Sequence, residues 1–334
     1  MPQKFKVSVC MITYGHEKYI REAIEGVLMQ ECNFKVELIL ANDCSPDLTD
    51  EIIQDIIQNH PRGSWIKYFK HEKNLGMMPN FIFALEQCCG TYVAMCEGDD
   101  YWISVDKLQK QVEILEENNK IGLVYTNVKY FFQSKGQFLD ILPRFVENRS
   151  EVIPVMLKSK FVEFASTLFR KSILDQVMKI LKPELEGKIV GDTRVILETV
   201  NISKLYYLNE VTTVYRIVDG SASHPLSIEK YIFASLDSYN CRKEFVLRND
   251  LNKSWLSYSI CNTNKGLVNR AFTSVEYKIM YMFIKNLLIV DTFKFCSKKV
   301  FFKKMNIKVW VKLMLSLLGI GVLIQKRSYA KANR

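Results

Sequence analysis

Short apolar runs and helical stripes take turns along the first third of the chain. Val7-Ser8-Val9-Cys10-Met11-Ile12 is apolar almost throughout, the pattern of a strand covered on both faces, as in a parallel sheet. Ile20, Ala23, Ile24, Val27 and Leu28 then recur at helical spacing, with Glu17 in the first turn, where negative charge is favoured. Val36 to Ala41 predicts a second strand. The turn-forming stretch Asn42-Asp43-Cys44-Ser45-Pro46-Asp47 leads into a helix with Ile52, Ile53, Ile56 and Ile57 on its apolar face. Trp65 to Phe69 predicts a third strand, His71 to Gly76 a loop, Asn80 to Cys89 a helix and Thr91 to Cys96 a fourth strand. This alternation predicts a parallel sheet built from right-handed βαβ units. Further on, the pattern predicts a helix over Val105 to Glu117, a strand over Ile121 to Tyr125 and a polar, irregular loop from Phe131 to Pro154. Phe161 to Phe169 predicts a strand and Lys171 to Ile180 a helix. Another helix starts at Asp192, and helical spacing resumes from Ser227 and again from Leu251 to Val290.

Near the end, Leu313 to Ile324 is an uncharged apolar run, shorter than the roughly 20 residues of a spanning helix. Lys308 and Lys312 precede it, with Trp310 between them near its start. From Lys285 onward there are twelve Lys and Arg residues against Asp291 alone, a charge of +11. The chain as a whole carries +10, so everything before Lys285 sums to −1. The basic surplus belongs to the tail, which predicts an interfacial helix on an anionic membrane surface; the plainer alternative is a buried helix with solvated lysines. A nucleic-acid binder would instead carry its lysines on the folded domain among exposed aromatics, so no nucleic-acid partner is expected. Nine cysteines, an odd number without a Cys-x-x-Cys pair, argue against a disulfide framework or a zinc ribbon and for a reducing compartment. Met1 to Lys6 lacks the apolar stretch of a signal peptide, so the expected location is cytoplasmic, peripheral on the inner face of the cell membrane. The expected divisions are an α/β domain over 1–218, a helical extension over 219–290 and the basic tail over 291–334.

Candidate chemistry is concentrated at the ends of the predicted strands, where open α/β sheets bind ligands. Glu97, Asp99 and Asp100 put three carboxylates in four positions directly after a buried strand. Such a cluster is costly without a cation, and Mg²⁺ or Mn²⁺ shared with a diphosphate answers that cost. The plain alternative is that the acids cap the helix near Val105. Thr13, Asp43 and the loop Lys73-Asn74-Leu75-Gly76 fall at the other strand ends. Asp43 could instead form an Asx-turn around Ser45, Lys73 could be a solvated lysine, and Tyr14 and Tyr101 could be packing aromatics rather than base-stacking rings. Asp192, at a helix start, has an N-cap as its plain reading.

These residues resemble the inverting family 2 glycosyltransferases of the GT-A fold, which are common in bacterial surface-polysaccharide synthesis. The likeness rests on Val7 to Gly15, Asn42 to Asp47, Asn74-Leu75-Gly76, and Glu97-Gly98-Asp99-Asp100-Tyr101-Trp102 running into Lys107-Leu108-Gln109, in the family's order and spacing. The resemblance implies a GT-A fold, a mostly parallel mixed sheet flanked by helices, with a C-terminal helical extension. It implies that Asp43 binds the donor base, that Thr13 and Tyr14 line the nucleotide pocket, and that Asp99 with Asp100 holds the metal. Glu17, Lys73, Asn74, Gly76, Glu97 and Arg216 complete the implied nucleotide-sugar site, with a salt bridge to a neighbouring Asp or Glu as the equal alternative for Arg216. Gly191-Asp192, followed by Leu205 to Leu208 and Val214-Tyr215-Arg216, looks like the family's catalytic region, with Asp192 the general base. Two departures stand out. Glu97 occupies a position where many relatives have aspartate, and Val218 stands where relatives often have histidine, with His224 nearby.

The resulting expectation is a metal-dependent, inverting transfer of a sugar from a nucleotide-diphosphate donor to a hydroxyl of a lipid-linked or growing glycan. A sugar nucleotidyltransferase is the first alternative, but it needs a Gly-rich, lysine-bearing phosphate loop after the first strand, where this chain has Thr13-Tyr14-Gly15-His16-Glu17. A relative that binds nucleotide sugars without turnover is the other.

Overall fold

The structure is a computed structural model that describes residues 5–139, 149–158 and 162–256, together with 259 and 263. Contacts within the chain divide it into two units, one of residues 1–153 and 160–218, the other of residues 154–159 and 219–334.

The first unit is built on a mixed sheet. Its leading half is parallel: β1 (Val7–Thr13) lies between β2 (Val36–Asn42) and β4 (Tyr92–Met95), and β3 (Ile66–Lys70) flanks β2. The helices α1 (Ile20–Leu28), α2 (Thr49–Asn59) and α3 (Met77–Gln87) make the crossovers. β2 is buried along its whole length, which explains why it reads as a near-continuous apolar run. Ile20, Ala23, Ile24, Val27 and Leu28 of α1 are sealed from solvent and enter one core cluster with Val9, Met11 and Leu38. Register aligns Thr13 with Asn42 and Asn42 with Lys70. The loops after these strands therefore open on one edge of the sheet.

Beyond β4 the direction changes. β8 (Leu168–Arg170) runs antiparallel to both β4 and β6 (Ile121–Phe132), β9 (Lys204–Ile217) runs parallel to β6, and the two-residue β5 (Tyr101–Trp102) closes the far side antiparallel to β9. The full order is β3-β2-β1-β4-β8-β6-β9-β5, with β7 (Gln137–Leu139) hairpinned on β6. The fold is thus GT-A like, with α4 (Lys107–Glu117), α6 (Lys171–Leu181) and α7 (Asp192–Ile202) among the helices of this unit.

Two expected boundaries are corrected. The loop expected from Phe131 to Pro154 contains the end of β6, all of β7 and the start of α5 (Arg149–Lys158), with 140–148 outside the described residues. β6 outruns its apolar core because, past a register shift at Thr126/Asn127, it continues to pair with β9 up to Phe132↔Ile217. Half-exposed Tyr130, Phe131 and Phe132 suit such a strand although they bury little. The strand expected over Phe161 to Phe169 shrinks to β8, preceded by a 3-10 turn at Phe164–Ser166. The second unit contains α8 (Ile228–Arg248), whose N-cap Ser227 accepts from the Lys230 amide. No helix among the described residues is long and apolar enough to cross a membrane. The apolar run Leu313 to Ile324 and its flanking lysines lie outside the described residues.

Candidate active site

The edge where the parallel strands end is held together by side chains reaching from one loop to the next. The Asp43 amide donates to the Thr13 carbonyl at 3.0 Å. Gly15 N donates to Ser45 Oγ at 3.0 Å, His16 N to Thr49 Oγ1 at 2.9 Å and Glu17 N to Asp47 Oδ2 at 3.1 Å. Glu17 replies by accepting from the Leu48 amide at 3.1 Å. Asn42, not Asp43, forms the Asx-turn: its Oδ1 accepts from Ser45 N at 2.9 Å and Ser45 Oγ at 2.7 Å. Asp43 is only 3% exposed, and it turns the other way. Its two carboxylate oxygens accept from the amides of Leu75 at 2.7 Å and Gly76 at 2.9 Å. Gly76, at φ +94°, makes this clip possible by bending the loop into the start of α3. Lys73 and Asn74 stand exposed on the same loop, and Tyr14 presents its ring to solvent beside the buried Thr13.

The acidic turn is seated against the end of β1. Gly98 N donates to the Ile12 carbonyl at 3.0 Å, and a Cβ at Gly98 would come within 2.8 Å of both Thr13 Oγ1 and His16 Nδ1. Only glycine fits there. Thr13 Oγ1 and His16 Nδ1 lie 3.1 Å apart, and Gly98, packed on both, joins the first and fourth strand ends in one wall. Asp99 and Glu97 are half-buried, whereas Asp100 is 2% exposed. Burial, then the neighbouring charges of Asp99 and Glu97, push the Asp100 carboxyl well above the ordinary carboxylate range.

Arg216, expected in the nucleotide-sugar site or in a salt bridge, is 5% exposed and braces this turn from β9. Its amide donates to Asp100 Oδ1 at 2.8 Å, and Nη1 donates to the Asp99 carbonyl at 2.7 Å. Nη2 pairs with Glu22 on α1, and the guanidinium lies 4.4 Å from the Tyr101 ring centroid and 5.2 Å from that of Tyr19. The pattern of the sequence gives no sign of Glu22, which lies 194 positions from Arg216 on a helix whose apolar stripe faces elsewhere. Beneath the turn, Trp102 donates Nε1 to the Ala165 carbonyl at 2.9 Å, and the fully buried Lys107 sits 4.2 Å from its ring centroid. Lys107 Nζ donates to Gln111 at 2.7 Å, and burial pushes its ammonium down to about 7. Helical spacing does place Lys107 and Gln111 on the arc of Leu108, Val112 and Leu115.

Asp192 is the first residue of α7, and Gly191 occupies the N-cap. Asp192 is therefore not the cap that its plain reading supposes. Its Oδ1 accepts from the Thr193 amide at 2.6 Å, at the helix end where negative charge is favoured. A Cβ on Gly191 would come 2.4 Å from Met78 Sδ in the first turn of α3, so α7 begins against the helix that Asp43 and Gly76 launch. His224 falls in the other unit, in a turn closed by the bond from Gly220 N to its carbonyl at 2.9 Å.

Among the described residues, no three His, Cys, Asp or Glu side chains group to hold a metal ion by themselves. The acids that are present offer only hard oxygen donors. Asp99 is the more accessible, since Asp100 is buried and already accepts from a backbone amide. Such a set fits Mg²⁺ or Mn²⁺ where phosphate oxygens and water fill most of the coordination sphere. It does not fit a closed protein cage.

The family model for Glycosyl transferase family 2 matches residues 8–178. The minor teichoic acid biosynthesis protein GgaB of Bacillus subtilis is 24% identical over 298 residues, which cover 86% of this chain and 30% of that protein. The chain spans about half the length, 47%, of other curated relatives that it matches. Among solved structures, S. aureus TarS 1–349 in complex with UDP-GlcNAc superposes with a TM-score of 0.66 at 17% identity, covering 98% of this chain and 92% of that one. The mannosyltransferase PcManGT from Pyrobaculum calidifontis, in complex with GDP-Man and Mn²⁺, gives 0.50 at 13% identity over 96% and 88%. These two likenesses concern the fold.

Proposed function

Because the chain belongs to glycosyl transferase family 2 and is a glycosyltransferase, we propose that it moves a sugar, with inversion, from a nucleotide-diphosphate donor to a hydroxyl of a lipid-linked or growing surface glycan. One observation carries this reading. The Asp43-clipped loop, the acidic turn braced by Arg216 and the start of α7 at Asp192 belong to one unit, tied through Thr13, Gly98 and Met78.

In this reading Asp43, Thr13 and Tyr14 receive the base and ribose, with Glu17 and the Lys73 to Gly76 loop around them and Glu97 beside the sugar. Asp99 and Asp100 hold Mg²⁺ or Mn²⁺, which when bound supplies positive charge against the diphosphate leaving group. Asp192 takes the proton from the acceptor hydroxyl as that oxygen bonds to the anomeric carbon. On the opposite face the bond to the diphosphate oxygen breaks, and its electron pair leaves with the nucleotide. Attack and departure on opposite faces give inversion. GgaB's name supports a cell-surface glycan as the acceptor class. The basic tail is proposed to hold the protein on the inner face of an anionic membrane, with the catalytic domain at 1–218, a helical extension at 219–290 and the tail from 291.

A panel of nucleotide sugars, assayed for release of nucleoside diphosphate with Mn²⁺ or Mg²⁺ and again with chelator, tests the reading. The expected result is turnover of one donor class that the chelator abolishes. Release of pyrophosphate from a sugar phosphate and a nucleoside triphosphate would overturn it in favour of a nucleotidyltransferase, and binding without turnover in favour of a non-catalytic relative.

A further inference from the structure

An arginine placed among carboxylates ordinarily becomes their counter-ion. Arg216 lies within hydrogen-bond reach of the acidic turn, yet its guanidinium takes the Asp99 carbonyl rather than a carboxylate of the turn. Its ion-pair partner among the described residues is Glu22, which approaches from α1. The Tyr19 and Tyr101 rings lie against the guanidinium. The helix that carries Glu22 is itself fixed on the turn's far side. Gly26, one helical turn later, lies so close to β5 that a Cβ would come 2.8 Å from Trp102 N.

From this arrangement we infer that Glu22 is a positioning residue: by pairing with Arg216 it holds the guanidinium off the carboxylates of Asp99 and Asp100 and leaves those acids to a divalent cation. The inference rests on the metal reading given under Proposed function. With Glu22 neutralised, Arg216 is left beside the carboxylates of the turn that it already touches through Asp100 Oδ1 and the Asp99 carbonyl. The arginine then competes with the cation for them. The bond from the Arg216 amide to Asp100 Oδ1 is made by the main chain and persists, so the turn keeps its shape while its charge is quenched.

Mn²⁺ binding, followed by loss of the free-ion electron paramagnetic resonance signal with UDP or with GDP present, separates the possibilities. The wild-type chain, Glu22→Ala and Glu22→Gln are compared, with thermal unfolding recorded for each. The half-saturating Mn²⁺ is expected to rise about tenfold in Glu22→Ala, the effect of one lost opposite charge. A smaller rise is expected in Glu22→Gln, which keeps an acceptor for Nη2 and carries the test should the alanine variant fail to fold. Excess Mn²⁺ should restore donor turnover in both. A purely structural role would lower the unfolding midpoint and leave Mn²⁺ dependence unmoved, and that result overturns the inference while the metal reading stands. A wild-type chain that binds Mn²⁺ with neither nucleotide overturns the metal reading, and the inference with it.

Discussion

At the scale of single residues, neighbours in sequence do different work. Asn42 turns the backbone and Asp43 clips the next loop, a division that the dipeptide alone does not reveal because either side chain can close an Asx-turn. Replacing Asp43 by Ala leaves the amides of Leu75 and Gly76 without their acceptors. The expected cost is about 2 kcal/mol of stability, with nucleotide affinity lowered at least tenfold; denaturant titration and calorimetry check the two numbers. Lys107 makes a separate prediction. Unfolded, it keeps its proton to about pH 10.5, and folded, only to about 7. Between those values the unfolded chain binds more protons, so stability rises with pH across that window and is flat below it. Compared with Lys107→Met, the wild type should gain about 2 kcal/mol between pH 7 and pH 9. Equal pH slopes for the two proteins would show that Lys107 stays charged inside. The placement of Thr13, Asp43 and Asp99 at strand ends was legible from the apolar runs that precede them. Glu22 was not, because an ion pair between residues so far apart in sequence leaves no local pattern.

At the scale of elements, the apolar periods were enough to find α1, β2 and the β1-to-β4 crossovers. They misjudged β6, where pairing with β9 rather than burial sustains the strand, and they could not supply the antiparallel β8 or the two-residue β5. Periodicity also says nothing of how closely a helix approaches a strand. Gly26 shows the difference. In an isolated helix, Gly→Ala would stabilise by about 1 kcal/mol. In this chain the added Cβ meets Trp102 N at 2.8 Å and Trp102 O at 2.9 Å, and overpacking against backbone costs about 1–3 kcal/mol. Gly26→Ala is therefore expected to unfold at lower denaturant than the wild type and to bind nucleotide more weakly, since β5 carries the acidic turn. An unchanged midpoint would mean that α1 can move away from β5 freely.

At the scale of the whole molecule, charge divides the chain into a near-neutral body and a tail of +11 from Lys285 onward. Proposed membrane attachment should then be electrostatic. Co-sedimentation with vesicles rich in anionic lipid is expected at low salt and should weaken as added salt shortens the screening length; binding to neutral vesicles with equal strength would remove the tail's proposed role. The account as a whole stands on a donor held at the β-strand ends and a base at the start of α7 acting on the same sugar. Its most direct test is Asp192→Asn, with donor binding and transfer measured side by side. Donor affinity should stay within about threefold of wild type while transfer falls by at least about a hundredfold; transfer at the wild-type rate would contradict the account.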